Sequence, residues 1–156
     1  MSEKLYESIE IGPGKRHLRD WGDKVFLYCT FEDVDTDGIM CDGALLHCSL
    51  HRVKLYWGFF NCAVLHHVEF VDCVFPGTSF RGCTLSACTF RRCSFILDNL
   101  GGSCTIDDCF FAECAFEDCT FVHRQGQGQS IFESRNRIYA STTNRCRGLA
   151  GVAGLS

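Results

Sequence analysis

Thirteen cysteines stand out in a chain of 156 residues. Thiols in that number can staple a secreted fold, ligate a metal or supply a nucleophile. Cys104, Cys109, Cys114 and Cys119 are a zinc-ligand set in number. They fail in spacing, because structural zinc draws sulfurs to ~2.3 Å, usually from paired CxxC-type segments. No such pair is present, and Ile106, Phe111 and Phe116 stand between the four. No metal and no cofactor are expected. His66-His67 and His51-Arg52 offer imidazoles for acid–base work, but no carboxylate or third ligand shares either place by alignment. The chain has no Ser/His/Asp order, phosphate loop or paired catalytic carboxylates that one element could hold. Gly12–Gly14 encloses a proline and opens no strand–helix unit. The expectation is no enzyme.

The elements that carry these residues repeat every five positions. In F-VDCV-F-PGTS-F-RGCT-L-SACT-F-RRCS-F, the large residues are Phe70, Phe75, Phe80, Leu85, Phe90 and Phe95. A helix face repeats at ~3.6 and a strand face at ~2, so this beat fits neither. The same phase holds at Leu45, Leu50, Leu55, Phe60 and Leu65, and reaches Leu100. After one inserted residue near Gly101-Gly102 it resumes at Ile106, Phe111, Phe116 and Phe121. An irregular start reads Phe26, Phe31, Thr36 and Met40. Two residues before each centre lies a small residue, often cysteine: Cys48, Cys73, Cys83, Cys88, Cys93 and then the final four.

A large and a small residue two apart share one side of an extended segment. Such a segment must turn after every five residues to keep that side inward. Four segments close a square coil of twenty residues, and coils stack at ~4.8 Å, as strands do. Twenty-residue alignment stacks Cys48 with Val68, Cys88 and Cys109, and Cys73 with Cys93 and Cys114. These thiols then read as packing groups. Cys41 and Cys62 are expected to face outward, and Asp98 is the one acid expected to face inward, as a local backbone cap.

This pattern resembles the pentapeptide-repeat family, roughly small–polar–Leu/Phe–x–x, over residues 26–121. Asp98-Asn99-Leu100-Gly101-Gly102 has its usual spelling, and Cys-Thr-Phe at 88–90 and 119–121 is a variant. The resemblance implies an all-β fold, a right-handed quadrilateral β-helix of about five coils. Residues 1–25 form an N-terminal cap, with Tyr6, Ile9, Ile11 and Trp21 to close the axis. Residues 122–156 form a linker, QGQGQS, and a C-terminal cap with Ile131, Phe132, Ile138 and Tyr139. In the family a C-terminal segment can mediate homodimerisation.

The charge of −4 is mild and argues against nucleic acid as a direct ligand. No apolar run approaches ~18 residues, and the first twenty residues have no apolar core. A reduced, cytoplasmic chain that meets no membrane is expected. The surface then carries function. Tyr56, Trp57, Phe59, Ile96 and Leu97 form an outward apolar ridge on the wall assigned to Leu55, Phe75, Phe95 and Phe116. Asp107, Asp108, Glu113, Glu117 and Asp118 form an acidic end on the last coil. Both are candidate partner-binding residues. The resemblance implies two protein partners. One is a bacterial toxin domain, plausibly a nuclease, neutralised by an immunity protein. The other is DNA gyrase or another type II topoisomerase, met by a DNA mimic.

Overall fold

The computed structural model describes residues 4–14, 20–126, 129–149 and 151–155. The segment QGQGQS therefore falls partly outside the described residues, at 127–128. Short strands, each two or three residues long, turn at square corners and stack in parallel as four walls. The inward residues of the first wall are Tyr6, Phe26, Leu45, Leu65, Leu85, Phe111 and Ile138. Those of the second are Ile11, Phe31, Leu50, Phe70, Phe90, Phe116 and Thr143. The third wall holds Thr36, Leu55, Phe75, Phe95 and Phe121, and the fourth Cys41, Phe60, Phe80 and Ile106. This is the quadrilateral β-helix that the five-residue beat requires. The parallel stack runs beyond residues 26–121 at both ends, through Leu5–Glu7 and Glu10–Ile11 and through Arg137–Tyr139 and Thr142–Asn144.

The corners explain the beat. The second residue after most inward centres adopts a left-handed backbone, and sixteen of these residues are not glycine, with φ of 51–56°. That conformation costs an ordinary residue about 1–2 kcal/mol. It persists because each corner N–H is tied to the coil above: His47 to His66 O at 2.9 Å, Trp57 to Pro76 O at 2.9 Å, Asp72 to Arg91 O at 3.0 Å. Turning is thus locally unfavourable and enforced by stacking.

Inside, phenyl rings lie over one another from coil to coil. Phe70 and Phe90 stand 4.6 Å apart and tilted by 3°, Phe75 and Phe95 4.5 Å and 6°, Phe60 and Phe80 4.6 Å and 6°. The column continues through Phe90–Phe116 and Phe95–Phe121. Trp21, fully buried against Phe26 and Phe31, fills the axis near the N-terminal end. Phe132 does so at the other, against Phe111, Phe116 and Phe121.

The thiols do more than fill space. Most cysteines at the small position donate Sγ–H to the carbonyl of the large residue one coil below: Cys73 to Leu50 O and Cys83 to Phe60 O at 3.2 Å, Cys88 to Leu65 O at 3.3 Å, Cys119 to Phe90 O at 3.3 Å. Thr78 uses its hydroxyl in the same way, toward Leu55 O. A small residue with a donor therefore cross-ties coils where alanine would only pack.

Four expectations are corrected. Leu65 lies opposite Leu85, twenty residues on, but Leu85 lies opposite Phe111, twenty-six on. The insertion is thus six residues, not one. Leu100 is not an inward centre: it is 82% exposed, and Ile106 takes its place above Phe80. Every later wall assignment shifts, so Phe121 and not Phe116 tops the wall of Phe95. Cys83 meets Cys109, Cys88 meets Cys114 and Cys93 meets Cys119 in consequence. At the other end, Cys41 is the buried centre opposite Phe60 while Met40 points out. The first full coil is one residue short, Phe26 pairing with Leu45, and that slip carries Cys41 inward.

Removing one ring from the middle of the column leaves a void that the stacked coils cannot close. Phe90→Ala should lower unfolding free energy by about 3–5 kcal/mol in urea denaturation.

Candidate functional site

The inward thiols are buried among phenyl rings and aliphatic side chains. Burial pushes the Cys41 and Cys104 thiols up to about 11. A hydrogen-bonded neighbouring thiol, followed by burial, pushes Cys83 and Cys88 up as well. Such groups stay protonated and unreactive. Among the described residues, no three His, Cys, Asp or Glu side chains converge as metal ligands, and no helix is long and apolar enough to cross a membrane. Only Cys62 is exposed among the thirteen thiols, and Cys146 is half-buried.

The outer surface is organised as vertical columns, one per corner. Between the second and third walls the column reads Asp33, Arg52, Asp72, Arg92, Asp118, Arg145, alternating in sign. Arg52 Nε lies 2.7 Å from Asp33, Arg92 Nε 2.8 Å from Asp72 and Arg145 Nε 2.6 Å from Asp118. The arginine of each pair holds its aspartate below the usual carboxylate range. All are solvent-exposed, so the ladder fixes register more than it adds stability.

This arrangement disperses the acidic end expected from the sequence. Asp107 and Asp108 lie at one corner, Glu113 at the next, and Glu117 and Asp118 at a third. Asp107 pairs with Arg135, Glu117 with Arg91 at 3.0 Å, and Asp118 with Arg145. Two of the three arginines come from the basic tail, which neutralises these acids within its own chain. Asp108 and Glu113 stay exposed.

The apolar ridge is assembled at the corner between the third and fourth walls, and the insertion loop folds onto it. Tyr56 and Trp57 pack at 4.7 Å between ring centroids. Trp57 Nε1 donates to Asp98 Oδ2 at 2.8 Å, and Tyr56 Oη accepts from the Asn99 N–H at 2.9 Å. Asp98 Oδ1 accepts the N–H groups of Leu100 and Gly102 at 2.8 and 2.9 Å. The Asp98 carboxyl, expected to face inward, instead faces out and caps its own loop. A Cβ at Gly102 would stand 2.5 Å from Asp98 Oδ2 and would displace that carboxylate. The Gly102 N–H, the Trp57 indole and the Leu100 N–H, in that order, hold its pKa down. Trp57 stays 40% exposed, whereas Tyr56, Phe59, Ile96 and Leu97 are half-buried. Leu100 rides at the tip of the loop. A second loop rests on the first, the Arg124 N–H donating to Ser103 Oγ at 2.8 Å.

The sequence reading missed the first wall. Its outward positions carry Val25 and Leu27, Ala44 and Leu46, then Val64 and His66, beside a stack of Tyr28, His47 and His67 rings with centroids 5.0 Å apart. The signal was the residue on either side of each inward centre, legible once coils are aligned.

The pentapeptide-repeat family model matches residues 60–95, in eight copies. No curated protein sequence matches the chain. Two trypsin-treated structures of QnrB1, a plasmid-mediated fluoroquinolone resistance protein, are similar at 14% identity, with TM-scores of 0.43 and 0.42. They cover 98% and 99% of this chain and 72% and 74% of their own. HetL is a pentapeptide-repeat protein involved in heterocyst differentiation regulation, from the cyanobacterium Nostoc sp. strain PCC 7120. It shares 6% identity with a TM-score of 0.20, covering 92% of this chain and 86% of its own.

Two outcomes follow from the geometry. Native protein should show one fast-reacting thiol with Ellman's reagent, lost in Cys62→Ala, the buried thiols reacting only on unfolding. The Asp98 pKa is depressed in the folded state, so its hold on Trp57 is complete above the carboxylate range and is lost as pH falls through that lowered pKa. Trp57 emission should shift to longer wavelength only at a pH below the ordinary carboxylate range, and Asp98→Asn should produce that shift at pH 7, with the β-sheet circular dichroism unchanged.

Proposed function

As the chain is a pentapeptide-repeat β-helix, we propose that it is a non-catalytic protein-binding module that seizes its partner at the corner of Tyr56, Trp57 and the 97–103 loop. The observation that carries this reading is Leu100, a large apolar residue 82% exposed on a loop held by four side-chain hydrogen bonds. A loop whose backbone is already fixed has lost that conformational entropy before it meets a partner, and this lowers the cost of binding. Trp57 beneath it, with Leu97 and Ile96 beside it, supplies the aromatic and aliphatic area on which interface energy concentrates.

The finer reading is a toxin-neutralising immunity protein that occupies one bacterial toxin domain. A stiff wall with a rigid apolar anchor suits a single tight partner. A topoisomerase-directed DNA mimic is the other reading, and the pairing of Asp107, Glu117 and Asp118 with arginines weighs against it. Mimicry of a phosphate row needs unpaired carboxylates in line, and these are paired, with Asp107 at a different corner from Glu117 and Asp118.

Affinity capture from the native cell followed by calorimetry tests the proposal. Leu100→Asp and Trp57→Ala should each weaken partner binding by about thirtyfold or more, the range of hot-spot losses, with circular dichroism unchanged. Unaltered affinity in both would remove this corner from the interface. Inhibition of DNA gyrase supercoiling by the purified protein would replace the toxin reading with the topoisomerase one.

A further inference from the structure

Above the exposed Glu7 of its first rung, the first wall presents an uncharged face over four rungs, those of Phe26, Leu45, Leu65 and Leu85. Its outward residues form two columns, one on each side of the inward centres. One column is short, Val25, Ala44 and Val64, and the other long, Leu27, Leu46 and His66. Val64 is 43% exposed and Tyr28, at the adjoining corner, 56%. Other walls bear acids and bases at equivalent positions, such as Glu32 and Glu69 on the second and Lys54 on the third, so four successive rungs without charge set this face apart.

We propose that this face pairs with the same face of a second copy about a two-fold axis parallel to the coil axis. That operation exchanges the two columns at each level. Ala44 then meets Leu46 of the second copy, and Val25 meets its Leu27, so short side chains face long ones coil by coil. The corners exchange as well, which sets His47 against Asp42 of the second copy, an imidazole opposite an exposed carboxylate. No like charges face each other over these coils, although the chain is net acidic.

Contact ends farther up the wall. At the level of Phe111 the same operation opposes Glu113 and Asp108, both acidic and exposed. The joined area is therefore about four rungs at ~4.8 Å by five residues at ~3.3 Å, roughly 300–400 Å² per copy. A stable interface buries ~800 Å² per partner. The dimer is accordingly weak and concentration-dependent. The C-terminal segment is a poorer dimer surface, because Leu149, Val152 and Leu155 pack on their own core.

Sedimentation equilibrium of the purified chain from about 5 to about 500 μM tests this. The weight-average mass should climb from 17.5 kDa toward twice that value. Leu46→Glu should hold it at the monomer throughout, while Tyr139→Glu, on the same wall beyond the acidic level, should change nothing. His47→Asp should weaken association by tenfold or more, and adding Asp42→Lys should restore it. A wild-type mass that stays monomeric at every concentration overturns the proposal, as does wild-type association by both Leu46→Glu and His47→Asp. Failure of Asp42→Lys to restore association overturns the parallel register. Leu100 and Trp57 lie on another side of the square, so Leu100→Asp leaves this equilibrium alone and the two readings fail separately.

Discussion

The structure depends on one bargain between neighbouring coils. A five-residue segment can keep its large side chain inward only by bending through a left-handed corner, and a corner residue such as Arg52, Trp57 or His67 resists that conformation. The N–H of that corner finds its acceptor on the next coil and nowhere in its own. No single coil can therefore be stable, and stability accrues with each addition to the stack, as in other solenoids. The phenyl columns and the thiol–carbonyl ties act along the same axis. Every strong interaction is vertical, so the side walls are free to carry almost any residue.

That freedom explains why fold and surface differ so much in legibility. Inward positions repeat because each must satisfy the same environment, and the series from Leu45 to Phe95 could be read off without coordinates. Leu100 broke the reading because it satisfies the local pattern in full. A Leu two residues after Asp98 looks like any other centre. What expels it is the Asp98 carboxylate at the preceding small position, which takes backbone donors and Trp57 rather than enter the core. A five-residue window weighs spacing and not the price of burying that charge. Cys41 failed for a related reason: after Thr36 the irregular coil offers both Met40 and Cys41, and only the pairing with Phe60 decides between them.

The same five-residue error propagated into the surface. With the upper coil one wall out of place, Glu117 and Asp118 fell beside the apolar ridge, and the acids looked like one end of one site. Correct stacking separates them by a corner and reveals the alternating column from Asp33 to Arg145. A charge column is visible only to a reader who knows which coils are nineteen, twenty or twenty-six residues long. The ridge escaped this error because Tyr56, Trp57 and Ile96 all precede the insertion, yet the loop that covers and organises them did not.

Insertion at that corner is itself constrained. The loop leaves the helix after Ile96, at the one corner column where Gly38 and Gly77 surround Trp57. With no side chain at Gly77, space opens beside Trp57, and the Asp98 carboxylate occupies it; a Cβ on Gly77 would lie 2.7 Å from Asp98 Oδ2. Trp57 can then act at once as a left-handed corner, a donor to Asp98 and a support for the loop. Two other columns offer bulk or charge where the carboxylate must sit, Asp72 and Arg92 at one corner and His47 and His67 at another, and the column of Cys62 and Gly82 offers no indole N–H. The protruding loop is thus not an arbitrary extension of a regular rod. It grows from the place where the column beneath it has both a vacancy and an indole N–H to fill it.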